Sequence, residues 1–149
     1  MGYILKQSKE LNYFPQWYTN LTVNSDDCIK IAGSSRDNVV FSRPYINYSN
    51  LSELSKQFVN NYKSIKGVEP DETVSHAYDA MNIVAEGIKK VGENIPNLIG
   101  FINGIKNYNG LSGITTFDGK GGVVKNIEVL NISGNKLITI KIFSFSEAK

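Results

Sequence analysis

The side chains able to do chemistry in this 149-residue chain are few and scattered. There is one cysteine, Cys28, and one histidine, His76. A catalytic thiol needs an imidazole and an orienting group beside it, and these two lie far apart in sequence. A lone cysteine more often serves as a small buried hydrophobe. Carboxylates gather at Asp26-Asp27 and at Glu69, Asp71 and Glu72. Paired carboxylates can divide acid and base work between them. These pairs stand where helices begin, where an acid accepts from free first-turn amides and opposes the macrodipole. The run Phe117-Asp118-Gly119-Lys120-Gly121-Gly122 has glycines but no phosphate-loop spacing and no Ser or Thr after the lysine. It is also too poor in carboxylates for a calcium loop, so it reads as a turn. One His and one Cys make no metal set unless carboxylates supply the rest. No convergent acid, base and nucleophile can be assembled, so no enzyme and no cofactor is expected.

The bulk properties are those of an ordinary domain. Hydrophobic residues make up 41% and charged residues 20%, close to the averages for folded proteins. The net charge of +2 is too balanced to argue for nucleic acid or an anionic membrane surface. A single cysteine excludes an internal disulfide and leaves the compartment open. No run approaches the roughly 18 apolar residues that span a bilayer. No apolar leader follows Met1-Gly2-Tyr3, so the chain is expected either to be cytosolic or to begin inside a longer protein, the second being favoured. Four N-x-S/T triplets, starting at Asn20, Asn47, Asn50 and Asn131, reflect asparagine abundance rather than glycosylation.

Interleaved strand and helix signals give an α/β chain. Ile4, Leu5, Ser8 and Leu11 form the tail of an uncapped helix, and Asn12 to Trp17 reads as a short edge strand interrupted by Pro15. Asn24 to Asp27 can cap a short helix through Ile31, closed by Gly33. A strand is expected over Asn38 to Ser42. Asn50 can cap a helix carrying Leu51, Leu54, Phe58, Tyr62 and Ile65, ended by Gly67 and Pro70. Asp71 then caps the clearest helix, whose Val74, Ala77, Tyr78, Met81, Val84, Ala85, Ile88 and Val91 form an apolar stripe. Asn94 caps a further helix with Pro96 in its first turn. Two strands, Val123 to Ile132 and Leu137 to Phe145, are joined by a hairpin turn at Ser133-Gly134-Asn135. The alternation of Ile138, Ile140 and Ile142 with polar neighbours predicts a half-buried strand.

The order of motifs from Phe58-x3-Tyr62, through Gly67 and Pro70, Ala77-Tyr78-Asp79-Ala80, Glu86-Gly87-Ile88 and Gly92, to Gly110-Leu111-Ser112-Gly113 and Phe117-Asp118, resembles one family. It is similar to the C-terminal region of type I periplasmic solute-binding proteins, the branched-chain amino-acid receptors. The resemblance runs from about Gln7 to Leu137. It implies part of a two-lobed fold with a Rossmann-like parallel sheet, flanking helices and a C-terminal β-hairpin. By that analogy residues 1–68 belong to the second lobe, 69–116 to the first, and 117–149 supply closing strands of the second. A chain cut in this way should expose apolar faces that the missing remainder of the receptor, or a second copy, would cover.

The implied function is extracytoplasmic binding of an amino acid or similar small polar solute, held between lobes and delivered to the membrane permease of an ABC importer. The same fold also serves as the sensing domain of signalling receptors, and a small α/β interaction domain is the remaining reading. Ligand contacts in the family come from strand ends and helix starts. Trp17 and Tyr18, in the loop expected after the strand at Asn12 to Phe14, would form an aromatic wall or simply cap the sheet edge. Tyr78 would place its hydroxyl near the hinge or cleft, although its position on the apolar stripe suits core packing. His76 would line the cleft or stand exposed on the helix, and Asp79 is expected in a first helical turn.

Overall fold

The computed structural model describes residues 1–46 and 51–144. In chain order the helices are α1 (Gly2–Glu10), α2 (Asp26–Ala32), α3 (Glu53–Lys66), α4 (Glu72–Val91) and α5 (Ile95–Gly104). The strands are β1 (Tyr18–Asn20), β2 (Val40–Pro44), β3 (Tyr108–Gly110), β4 (Gly113–Phe117), β5 (Val123–Val124), β6 (Ile127–Ser133) and β7 (Lys136–Phe143). They form two compact units. The first joins Met1–Arg43 to Ile127–Lys149, and the second is Pro44–Asn126.

In the first unit α1 starts without a side-chain cap, as expected. Asn12 then takes a φ of 52°, a left-handed turn that asparagine tolerates. The amide of Tyr13 donates to the Ser8 carbonyl at 2.8 Å, and the Ser8 hydroxyl donates to the Tyr13 carbonyl. These bonds close α1 and leave Tyr13 to Trp17 irregular, so the strand expected over Asn12 to Trp17 is not formed there. Pairing begins at Tyr18 instead. The second strand is displaced likewise, from Asn38 to Val40, because Asn38 has a φ of 65°. Strands β1 and β2 are parallel, with Tyr18 beside Val40 and Asn20 beside Ser42. The connection between them is a 3-10 turn (Leu21–Asn24), α2 and a second 3-10 turn (Gly33–Arg36). Ser25 caps α2 by accepting from the Cys28 amide, and Gly33 closes it.

Strand β6 lies on the other side of β2. The Asn38 amide donates to the Ile132 carbonyl, while Arg43 pairs with Glu128 at 2.9 Å, so the two strands run antiparallel. The core is Leu5, Val23, Cys28, Ala32, Val39 and Phe41 packed on Leu130 and Ile132. Residues far apart in sequence therefore share one apolar interior. The hairpin to β7 turns on Gly134-Asn135, with Gly134 at a φ of 59°. The half-buried pattern expected of Ile138, Ile140 and Ile142 is not met. All three are exposed, Ile140 at 57%, because β7 is the outer strand of the sheet. Its neighbour β6 takes the buried positions, at Glu128, Leu130 and Ile132. Phe145, expected at the end of this strand, lies outside the described residues.

In the second unit Ser52 caps α3 by accepting from the Ser55 amide, and Gly67 ends it in the left-handed conformation at φ 73°. Asn50, the expected cap, lies outside the described residues. Asp71 caps α4 by accepting from the Val74 amide at 2.8 Å, and Asn94 caps α5 through the Asn97 amide. Helix α5 comes so close to α4 that a methyl group on Gly87 would sit 2.4 Å from a Leu98 methyl. Strands β3, β4 and β5 form a small antiparallel sheet.

The orientation of α4 reverses the expected one. Its buried positions are Ser75, Asp79, Ile83 and Gly87. Much of the apolar stripe faces outward, with Met81 70% exposed and Ala77, Val84, Ala85 and Ile88 exposed as well, while Val74, Tyr78 and Val91 are half-buried. The reason is local and polar: Asp79 is committed to hydrogen bonds with the β3–β4 turn, and that fixes which face turns inward.

Candidate functional site

Because β1 and β2 are parallel, both end at one edge of their sheet, the position where open α/β sheets bind ligands. Asn20 ends β1, and its side-chain oxygen accepts from the Thr22 amide at 3.1 Å and the Thr22 hydroxyl at 2.7 Å. The turn that follows is held from behind by Arg36, which is only 4% exposed. Its guanidinium reaches the Val23 carbonyl at 3.4 Å and the Asn24 side chain at 3.5 Å. On β2, Ser42 is the partner of Asn20, and Arg43 is held by Glu128. The result is an exposed rim of amide and hydroxyl groups, Asn20, Thr22, Ser25 and Ser42, on a fixed backbone. Such groups can hydrogen-bond a small polar solute and have no proton to exchange near neutral pH. Sequence reasoning missed this rim because it placed the strand too early. The Asn-x-Thr and Ser-x-x-Cys capping spacings were the available signal.

The second unit contains a buried polar cluster. The Asp79 carboxylate accepts from the Leu111 amide at 2.7 Å, the Ser112 amide at 2.7 Å and the Ser112 hydroxyl at 2.5 Å. Lys125 then donates to the Ser112 hydroxyl at 2.6 Å and its carbonyl at 2.9 Å. Asp79 therefore stands in the interior rather than in a first helical turn. It closes the Gly110-Leu111-Ser112-Gly113 hairpin, where a methyl group on Gly110 would sit 2.3 Å from a carboxylate oxygen. A serine beside a lysine resembles a nucleophile and base. Ser112 is 1% exposed and its hydroxyl is spent on Asp79, so the trio is a structural clamp.

Burial lowers the pKa of Lys125 from its ordinary value, with nearby Asp79 opposing. The pKa of Tyr108 is raised, first by burial and then by Asp79. The folded state thus binds fewer protons than the unfolded one at Lys125 just below pH 10.5, and more at Tyr108 above pH 10. Lys125 is expected to make stability climb with pH up to about 10.5, and Tyr108 to make it fall above about 10. Denaturant titrations across this range check it. Lys125→Met should abolish the climb, and a climb unchanged in that variant would exclude Lys125 as its source.

Asp118 organises the turn read at 117–122. Its carboxylate accepts from the Lys120 and Gly122 amides at 2.7 and 2.9 Å, which lowers its pKa.

Trp17 immediately precedes β1 and packs half-buried on the core of the first unit. Its carbonyl accepts from the Val40 amide. Tyr18 is the first residue of β1 and is 74% exposed. Both thus stand at the amino-terminal end of a strand, Trp17 just before it and Tyr18 within it, and not in a loop after one. His76 and Tyr78 belong to the second unit. The His76 Nδ1 lies 2.5 Å from the Glu72 carbonyl. Tyr78 stacks on Phe58 with ring centroids 4.0 Å apart, and its hydroxyl reaches the Leu54 carbonyl at 3.4 Å. Among the described residues no group of three His, Cys, Asp or Glu side chains is gathered for a metal, and no helix is long and apolar enough to cross a membrane.

No protein-family model matches this chain, and no curated protein sequence matches it. Solved structures do. A leucine-binding protein from Thermotoga maritima superposes with a TM-score of 0.83 at 22% identity, over 98% of this chain and 42% of its own. The fold is that of the type I periplasmic binding proteins. A branched-chain amino-acid transporter substrate-binding protein from Streptococcus pneumoniae, in complex with isoleucine, matches with a TM-score of 0.75 at 21% identity. It covers 94% of this chain and 41% of its own. A solute-binding protein of an ABC transporter from R. palustris, in complex with benzoate, matches at 0.72 and 16% identity, over 96% and 40%. This chain thus spans about two-fifths of the length of these periplasmic binding proteins.

Proposed function

We propose that this chain is the C-terminal part of an extracytoplasmic solute-binding protein that captures an amino acid or similar small polar solute for an ABC-type permease. The observation that carries the reading is the superposition of nearly the whole chain on binding proteins whose bound solutes include isoleucine and benzoate. The local chemistry agrees with it. The rim of Asn20, Thr22, Ser25 and Ser42 offers hydrogen bonds at the carboxyl ends of parallel strands, and the buried clusters are structural rather than catalytic. By the family analogy residues 1–68 and 117–149 would belong to the second lobe and 69–116 to the first, whereas the compact units divide at Arg43/Pro44 and Asn126/Ile127. The packing of Met1–Arg43 with Ile127–Lys149 supports a chain that leaves the second lobe and returns. His76 and Tyr78 are retained as ligand-side candidates in the complete receptor.

The outward stripe of Ala77, Met81, Val84, Ala85 and Ile88 has a natural occupant in this reading. A contiguous apolar face on a 20-residue helix marks an interface. Its partner is the remainder of the receptor, whose relatives extend well beyond the matched segment. The test is thermal unfolding of a full-length receptor containing this chain, against amino acids and small carboxylates. A bound solute at about 100 times Kd adds roughly 2.7 kcal/mol and visibly raises Tm. A rise with one solute class supports transport or sensing of that class, and no rise with any would overturn solute binding.

A further inference from the structure

The opposite edge of the first unit's sheet carries a cavity of about 270 Å³. It opens between the last turns of α1, the segment Tyr13–Pro15, Trp17 and the turn at 34–38. Phe14, Pro15 and Trp17 supply apolar faces, while Lys9, Ser34 and Asp37 supply the polar groups. This edge precedes β1 and β2, so the cavity is distinct from the rim at their carboxyl ends.

Two features separate it from a surface dimple. Phe14 is 71% exposed and Tyr13 is 61% exposed, although the backbone on either side of Phe14 is pinned. Tyr13 is bonded twice to Ser8, Gln16 donates to the Asn38 carbonyl at 2.7 Å, and Trp17 accepts from Val40. The backbone that carries the rings is held in place before any guest arrives, which removes part of the ordering cost of binding. Lys9, moreover, is already drawn onto this site, its ammonium 2.8 Å from the Ser34 hydroxyl. An anion placed there would accept from both groups at once. Asp37, on the same lining, is suited to a cation. The volume lies just below the roughly 300 Å³ at which drug-sized pockets begin, so the guest is a single ring with a short polar arm.

The geometry points to a second ligand site, selective for a small aromatic zwitterion such as an aromatic amino acid. The carboxylate sits on Lys9 and Ser34, the ammonium on Asp37, and the ring against Phe14 and Trp17. Trp17 then acts as a ligand residue here, at the amino-terminal edge, and this inference stands independently of the transport reading.

Trp17 is the one tryptophan of the chain, so its emission reports the site directly. The full chain is titrated with L-phenylalanine while Trp17 emission and backbone amide shifts are followed. Saturable change in Trp17 emission, with amide shifts confined to residues 8–17 and 34–38, is expected. L-Alanine, 3-phenylpropionate and phenethylamine, which lack the ring, the ammonium and the carboxylate, should each bind about tenfold more weakly. The exposed-residue variants Phe14→Ser and Lys9→Gln should weaken L-phenylalanine by a similar factor. No saturable response, an unchanged affinity in both variants, or shifts at residues 19–25 and 42–44 instead would each overturn the inference. The last result would place the amino acid at the carboxyl-terminal rim.

Discussion

Replacing Asp79 with alanine is expected to destabilise the second unit by roughly 3–5 kcal/mol. One carboxylate satisfies the Leu111 amide, the Ser112 amide and the Ser112 hydroxyl, all of them buried. Each buried donor left without an acceptor costs about 1–3 kcal/mol, and local relaxation lets water recover part of the sum. The change also removes the negative charge that supports Lys125 as a cation. Gly110→Ala should fail by the converse route, since its new methyl would lie 2.3 Å from the Asp79 carboxylate and push it out of register. Urea unfolding followed by circular dichroism measures both. The midpoint should fall with the slope unchanged. A loss below about 1 kcal/mol for Asp79→Ala would show that the turn at 110–113 holds without its carboxylate.

Phe41→Ala is the comparable lesion in the first unit, with an expected loss of about 3–5 kcal/mol. Phe41 is the largest fully buried side chain among the described residues and sits on β2, between the parallel partner β1 and the antiparallel partner β6. Its ring joins the core built from Leu5, Val23 and Cys28 to that built from Leu130 and Ile132. Truncation leaves a cavity that strand pairing on both sides prevents from collapsing. Because Trp17 packs on this core, its emission follows the same transition. The residue also matters for the proposed solute rim, since Ser42 and Arg43 follow it on β2. A midpoint unchanged within error would show that Phe41 does not anchor the interior.

Local chemistry was legible wherever one residue type answers one backbone need. Asp71 and Asn94 cap α4 and α5, Gly67 and Gly33 close α3 and α2, and Gly134-Asn135 turns the final hairpin. These depend on neighbours a few residues away, so sequence suffices to place them. The turn at Asp118 was legible for the same reason. The family resemblance worked differently: weak motifs in a fixed order pointed to a fold that the superpositions then showed. Asp79 and Gly110-Leu111-Ser112-Gly113, two of those motifs, turn out to be halves of one hydrogen-bonded clamp.

Faces and edges were not legible in the same way. The apolar stripe of α4 predicted an inward face, yet the helix turns Ser75, Asp79, Ile83 and Gly87 inward. A carboxylate with three donors to meet outweighs hydrophobic periodicity, and an apolar face stays exposed where none of the described residues covers it. The isoleucines of β7 follow the same logic on an outer strand. Trp17 and Tyr18 were chosen for their chemistry, but two asparagines with positive φ moved both strands along the chain and put these aromatics at the opposite end of the sheet. Sequence alone therefore determined most helices, the caps of α4 and α5, and the glycine and hairpin turns. Which face is buried, where the parallel strands end, and which distant residues meet around Phe41 and Asp79 were decided by tertiary structure, because those outcomes depend on long-range packing and on satisfying buried polar groups.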